Sequence, residues 1–327
     1  MHEIVIFVVV LAILFDISNG WNDSANAIAT VVSTRVLTPT KAVILAASMN
    51  VLGAFLTTAV AKTIGSGVVD PKAITEIVVA AALFSGFAWN GCMTLLGLPV
   101  SASHALIGGL IGASVAYGGT DILNISGITK IFTALITSPI IGILFGFGLM
   151  KFILKFFGTF PSGAINRHFG KLQIFSSAFM ALSHGSNDAQ KVMGIITLAL
   201  VSGGYLNSVE VPFWVVLICA LAMGFGTAFG GWKVIKTMGV SMLKLEPVHG
   251  FAAETSATVI ILGASQLGLP VSTTHVIAAS IMGVGATRRL SAVRWGVAGK
   301  IVLAWVFTLP ACALFGWAMC KGALLIF

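Results

Sequence analysis

The chain has 327 residues, of which 57% are hydrophobic and only 9% charged, and its mean hydropathy is +1.04. A soluble domain carries about 25% charged residues, so this composition excludes a water-soluble globule with a polar skin. The net charge of +8 does not mark a nucleic-acid binder. The basic residues sit in short connections between apolar runs, which on a membrane chain reads as the positive-inside bias.

Apolar runs at 4–15, 77–87, 131–149 and 214–229 approach the ~20 residues that cross a bilayer. They lack the period-2 alternation of barrel strands, so helices satisfy the backbone in hydrocarbon. The expected fold is an all-α polytopic membrane protein. In chain order, helices over 4–18 and 24–34 flank a break, and helices over 41–62 and 73–95 follow. A proline-opened segment over 99–117 and a long helix over 128–157 come next. The remaining helices are expected over 171–183, 189–201, 212–232, 249–266, 270–285 and 297–325. The first apolar run lacks a basic n-region and a clear cleavage site, and it reads as a retained helix. Cys92, Cys219, Cys312 and Cys320 lie singly in apolar sequence, without metal-ligand spacing.

Two motifs recur. SNGWNDSAN at 18–26 returns as SHGSNDAQK at 183–191, and GLPVSASH at 97–104 returns as GLPVSTTH at 268–275. The offsets, 165 and 171 residues, are nearly equal and the order is kept, so the chain is an internal duplication. The expected organisation is a transmembrane repeat over 1–157, a short cytoplasmic connection over 158–170 and a second repeat over 171–327. Duplicated halves with interrupted apolar segments indicate a secondary transporter. An odd number of crossings per half makes the repeats inverted, with discontinuous helices and re-entrant, hairpin-like segments.

Asn22-Asp23 and Asn187-Asp188 each follow a glycine inside an apolar segment. Glycine weakens a helix by about 1 kcal/mol relative to alanine, and Asn and Asp compete for backbone hydrogen bonds. An unwound turn is expected at each pair, with Asn22, Asp23, Asn26, Asn187 and Asp188 lining a cation site. Hard oxygen ligands suit small hard cations, here sodium at Asp23 and Asp188. The proline of each Gly-Leu-Pro-Val-Ser segment suits the first turn of a helix. The free N–H groups there, with the hydroxyls of Ser101, Ser103, Ser272, Thr273 and Thr274, form an anion site at two helix N-termini. His104 and His275 stand three residues after Ser101 and Ser272 and are expected to hold the turns. Two symmetric Ser-His couples and no Gly-x-Ser-x-Gly elbow argue against an intramembrane enzyme. Asp16 and Glu254 are intramembrane acids and functional candidates. Glu254 is a candidate partner of Lys191 or of a basic loop residue. The glycine string at 224–230 reads as close helix packing rather than a nucleotide loop.

On both motif pairs the chain resembles the inorganic phosphate transporter (PiT) family. The residues that carry the likeness are Asn19 to Thr30, Ala181 to Lys191 and the two Gly-Leu-Pro-Val-Ser segments, with Glu254 at the place of a family glutamate. The central connection is shorter than in many relatives. The resemblance implies symport of phosphate with sodium or protons through inverted repeats, in the cell membrane, as a homodimer and without an enzymatic cofactor. Gln190 joins the phosphate-binding set on this resemblance, and Lys191 the supporting residues. The oxygen-rich Asn-Asp turns suit sodium better than a proton. A sulfate or related oxyanion permease of the same family is the alternative substrate reading. An anion channel using the same helix termini is the alternative of another class, although a channel needs no stoichiometric cation site. Because Lys151, Lys155, Arg167 and Lys171 flank the 158–170 connection, a cysteine placed there should react with an impermeant thiol reagent only in opened or inside-out vesicles. Labelling from outside intact cells would reverse the orientation.

Overall fold

The computed structural model describes residues 2–326. They form twelve α-helices with no extended strand among the described residues. In the first half these are α1 (His2–Ser33), α2 (Pro39–Gly53), α3 (Ala59–Gly67), α4 (Glu76–Leu96), α5 (Ala102–Gly118) and α6 (Ile125–Phe157). The second half holds α7 (Ser162–Ser202), α8 (Phe213–Phe229), α9 (Trp232–Lys236), α10 (Pro247–Gln266), α11 (Thr273–Ala286) and α12 (Trp295–Ile326). Helices α1, α4, α6 and α12 are long and apolar enough to cross a membrane, and the segment of α8 and α9 makes a fifth candidate bent by 65°. The chain is a multi-pass integral membrane protein.

The six helices of each half correspond in order, and so do their contacts. Helix α5 packs against α12, and α11 against α6; α1 packs against α8, and α7 against α2. Each half therefore completes the other. Small residues set these crossings. A Cβ on Gly112 of α5 would overlap the Ala313 carbonyl of α12, and a Cβ on the equivalent Gly283 of α11 would overlap the Ile143 carbonyl of α6. Without a hydrophobic drive between helices in lipid, such backbone approach supplies much of the packing energy.

The structure corrects the placement of the breaks. Helix α1 runs unbroken through Asn22-Asp23, and α7 through Asn187-Asp188. The glycines there serve packing: a Cβ on Gly20 would stand 2.5 Å from the Met223 carbonyl oxygen, and one on Gly185 would overlap the Asn50 carbonyl. The Asn and Asp side chains find partners on other helices and do not compete for their own backbone. The breaks lie elsewhere. The helix expected over 41–62 is split at 54–58, between α2 and α3. Its counterpart breaks at Gly230, with φ at 64°, between α8 and α9. Both Gly-Leu-Pro-Val-Ser segments are breaks, as expected, and Gly97 and Gly268 there adopt φ of 73° and 67°, a region where only glycine is at ease. Helix α7 begins at Ser162, inside the 158–170 connection.

Gly112→Leu should lower the thermal midpoint of the purified protein in detergent, since overpacking costs about 1–3 kcal/mol or more. Gly299→Ala, inside α12 where a Cβ meets nothing within 4 Å, should leave it unchanged or raise it, by up to about 1 kcal/mol of helix propensity.

Candidate functional site

Ser101 and Ser272 are the N-caps of α5 and α11, their hydroxyls accepting from the His104 and His275 N–H groups at 3.2 and 3.3 Å. Each cap satisfies one donor of its first turn. The N–H groups of residues 102–103 and 273–274 precede the first intrahelical hydrogen bond and point out of the helix end. The two ends abut. Ser103 Oγ donates to the Val271 carbonyl at 3.2 Å, and the His104 and His275 rings lie 4.7 Å apart. His275 is stacked on Trp305, 3.9 Å between centroids, while Trp305 Nε1 donates to the Pro99 carbonyl at 3.1 Å.

Both turns are held by α1 and α7. Asn22 Nδ2 donates to Thr94 Oγ1 at 2.7 Å and to the Leu98 carbonyl at 3.5 Å; Asn187 Nδ2 donates to Ser265 Oγ at 2.9 Å and to the Leu269 carbonyl at 3.4 Å. The helices that follow the other breaks grip the same turns. Thr237 Oγ1 donates to the Gly97 carbonyl at 2.8 Å, and Thr63 Oγ1 to the Gly268 carbonyl at 2.7 Å. The repeat thus extends to individual hydrogen bonds.

The acids lie beside the helix ends. Thr274 Oγ1 donates to Asp23 at 3.0 Å, and Thr273 Oγ1 donates to Asp188 at 2.9 Å. Asn26 Nδ2 donates to Thr274 Oγ1 at 3.0 Å and reaches Thr273 Oγ1 at 3.4 Å. Lys191 Nζ stands 2.5 Å from Asp188 Oδ1 and 2.8 Å from the Val271 carbonyl oxygen. All of these side chains are buried. Asp16, one to two turns before Asp23, is buried too, and neither of its oxygens accepts a hydrogen bond among the described residues.

His184 belongs to this cluster, although the sequence reading passed over it. Its Nε2 lies 3.3 Å from Asp188 Oδ2 and 3.7 Å from Asp23 Oδ2. A relay fixes its tautomer. Thr227 Oγ1 donates to the Met223 carbonyl at 2.8 Å, Asn50 Nδ2 donates to Thr227 Oγ1 at 2.8 Å, and Asn50 Oδ1 is left to accept from His184 Nδ1 at 3.0 Å. Nε2 then faces the two carboxylates, as a second N–H donor or as a lone pair toward a cation between them. The available signal was the i, i+4 spacing of His184 and Asp188 on one helix face.

The site suits a cation. Ligand atoms of Asp23, His184 and Asp188 all lie within 4.8 Å of one another. The carbonyl oxygens Oδ1 of Asn22, Asn26 and Asn187 are buried and accept no hydrogen bond among the described residues. Buried acceptors without donors are uncommon in folded proteins, and a bare cation is their natural complement. Of the remaining expected residues, Gln190 is engaged elsewhere. Its Oε1 accepts from the Val60 N–H at 2.8 Å and caps α3, and its Nε2 donates to the Ser186 carbonyl. Glu254 takes neither expected partner. It accepts from Thr30, Ser176 and Gln173, the last at 3.1 Å, in a separate buried cluster.

Comparison with known proteins agrees with this architecture. The model of the phosphate transporter family matches residues 19–316. The chain belongs to that family. It is 46% identical over 314 residues to a probable low-affinity inorganic phosphate transporter of Bacillus subtilis, covering 95% of this chain and 94% of that one. A protein of the same description from Rhizobium meliloti is 47% identical over 317 residues, covering 96% of this chain and 95% of the relative. A solved structure titled the sodium-dependent phosphate transporter superposes with a TM-score of 0.92 at 26% identity, covering 99% of this chain and all of that one. The relatives are named as transporters, not enzymes.

Asn50→Leu should lower uptake about ten-fold with the protein still folded, because leaving the buried Nδ1 of His184 without a partner costs about 1–3 kcal/mol. Thr227→Val should be milder, since Asn50 Oδ1 still meets His184. Equal uptake by Asn50→Leu and wild type in proteoliposomes would remove the relay from the mechanism.

Proposed function

We propose that this phosphate transporter imports inorganic phosphate by symport with a cation, and that sodium is the ion its oxygen set suits. One observation carries the reading: the hydroxyls of Thr273 and Thr274 stand between the abutting helix ends and the two carboxylates. Each hydroxyl has one proton to donate. While Asp188 and Asp23 hold those protons, they are withheld from a phosphate at the helix ends. A cation on the carboxylates takes over the charge compensation and turns the hydroxyls toward the anion. Phosphate affinity then rises with cation occupancy, which is the thermodynamic requirement for coupling.

Electrostatics points the same way. Phosphate at neutral pH brings between one and two negative charges next to Asp23 and Asp188. In a dry protein interior such neighbours repel strongly unless cations enter with them. The phosphate itself is gripped from two sides, by the first turn of α5 with Ser101 and Ser103 and by that of α11 with Ser272, Thr273 and Thr274. Charge and dipole at helix N-termini favour the anion.

The connections support inverted halves, one of the repeat arrangements on which alternating access about a central site is built. Helix α7, 41 residues long, spans about 60 Å at about 1.5 Å per residue. Near its start, a Cβ on Gly170 would stand 3.6 Å from Val36, which follows α1. At its end, a Cβ on Gly203 would stand 2.7 Å from Glu76, which opens α4. The start of α7 thus shares an end of the molecule with the close of α1, the helix it repeats. Lys244, Arg288 and Arg289 gather on one cavity there, and Arg288 reaches the α6–α7 connection as well. This basic face is the cytoplasmic one by the positive-inside bias. Asp70, Asp121 and Glu210 occupy connections at the other end, and Glu76 opens α4 there.

Labelled phosphate uptake into proteoliposomes, with and without an inward sodium gradient and with sulfate as competitor, tests the proposal. Asp23→Asn should abolish or strongly reduce gradient-driven uptake. Thr274→Val should weaken phosphate binding about ten-fold or more at saturating sodium. Gradient-independent uptake by the wild type, or sodium dependence unchanged in Asp23→Asn, contradicts it.

A further inference from the structure

The two halves carry the same motif, but one position in it differs in charge. The offset of 165 residues pairs Asn22 with Asn187, Asp23 with Asp188 and Asn26 with Lys191. Asn26 remains a neutral hydrogen-bonding residue. Its amide reaches the Thr273 and Thr274 hydroxyls, and its Oδ1 accepts no hydrogen bond among the described residues. Lys191 folds back one helical turn instead and sets its ammonium 2.5 Å from Asp188. It is 2% exposed and makes a second hydrogen bond to the Val271 carbonyl at 2.8 Å. Asp23 receives a neutral donor, Thr274, and the more distant His184 at 3.7 Å. The duplicated acid sites are therefore equivalent in sequence and unequal in charge.

We propose that Lys191 is the built-in cation of the second half: its ammonium takes the place of a transported ion at Asp188, and the exchangeable cation is held at Asp23. This deepens the symport reading and rests on it. An ammonium hydrogen-bonded to a carboxylate oxygen occupies the place where that oxygen would coordinate a sodium ion, so ion and ammonium compete for one position. The ammonium is tethered three residues away on the same helix, which gives it an effective concentration far above that of the ion in solution. Its contact with the Val271 carbonyl adds a ligand from the turn that the anion also uses. Two cations so close in a buried site would repel each other. A carrier with asparagine at both equivalent positions needs a free cation at each acid, and this chain needs one fewer. His184 faces both carboxylates, but at 3.3 Å it approaches Asp188 less closely than Lys191 does.

Lys191→Asn restores the residue of the first repeat and tests the proposal. The sodium-to-phosphate coupling coefficient is read from the reversal of phosphate flux under opposed sodium and phosphate gradients in proteoliposomes. It should rise by one in the variant, and the Hill coefficient for sodium activation should rise with it. Should the variant not transport, equilibrium binding of radioactive sodium to the purified protein in the presence of phosphate replaces the flux. One additional sodium per chain is then expected over wild type. The double variant Lys191→Asn with Asp188→Asn removes carboxylate and ammonium together, and its sodium count should return to that of wild type. A coupling coefficient unchanged in a transporting Lys191→Asn, or an unchanged sodium count in a non-transporting one, overturns the proposal. An extra sodium retained in the double variant overturns it as well. Wild-type protein that shows no cation-driven phosphate uptake at all refutes instead the symport reading beneath it.

Discussion

Two hydrogen bonds from neighbouring threonines of α11, one across the halves and one within the second, organise the centre of this protein. Asp23 belongs to the first repeat and accepts from Thr274 of the second, while Asp188 accepts from the adjacent Thr273. Buried carboxylates are costly in a membrane interior unless something compensates them. Here the compensation is shared among threonine hydroxyls, His184 and Lys191, drawn from α7 and α11. The first turn of α11 therefore carries donors for which, on the proposed mechanism, two kinds of ligand compete. In the proposed cycle the anion wants hydroxyls and free N–H groups, and the acids hold the hydroxyls until a cation relieves them. On the proposed symport, coupling is a consequence of that shared inventory.

The rest of the fold brings these groups into reach. Helices α1 and α7 carry the acids, and both are crossed closely by the helix of the opposite half at Gly20 and Gly185. Asn22 and Asn187 tie the same helices to the turns before α5 and α11. Thr63 and Thr237, on the segments beyond the α2–α3 and α8–α9 breaks, hold those turns from the other side. Each half thus holds its own acid together with its own Gly-Leu-Pro-Val-Ser turn. That geometry fits a site that stays assembled while access to it changes.

Much of this was legible in the sequence, for identifiable reasons. The Gly-Leu-Pro-Val-Ser turns were readable because glycine, proline and a capping serine each have a local role that tertiary context seldom overrides. The duplication was readable because two motifs kept their order and spacing. The breaks at Asn22-Asp23 and Asn187-Asp188 were misread because local propensity was allowed to decide. Gly20 and Gly185 answer to the neighbouring backbone, and the polar side chains answer to Thr94, Ser265, Thr273 and Thr274. Those partners lie 72 to 251 residues away in sequence, where no local pattern shows them. The break between α2 and α3 went unseen for the converse reason: the sequence around Ala54 carries no proline, and Gln190 of α7 caps the restart from a distance. His184 was missed because its counterpart in the first repeat is Asn19. A search confined to repeated chemistry passes over the positions where the repeats differ.

The central claim is that one oxyanion sits between the first turns of α5 and α11, beside Asp23 and Asp188. Its most direct test is a structure determined with arsenate and sodium, using the anomalous signal of arsenic to locate the anion. The account predicts a single strong peak within hydrogen-bonding distance of residues from both turns, among them Ser101 or Ser103 and Thr273 or Thr274. A peak against one turn alone, or one away from both, would contradict it.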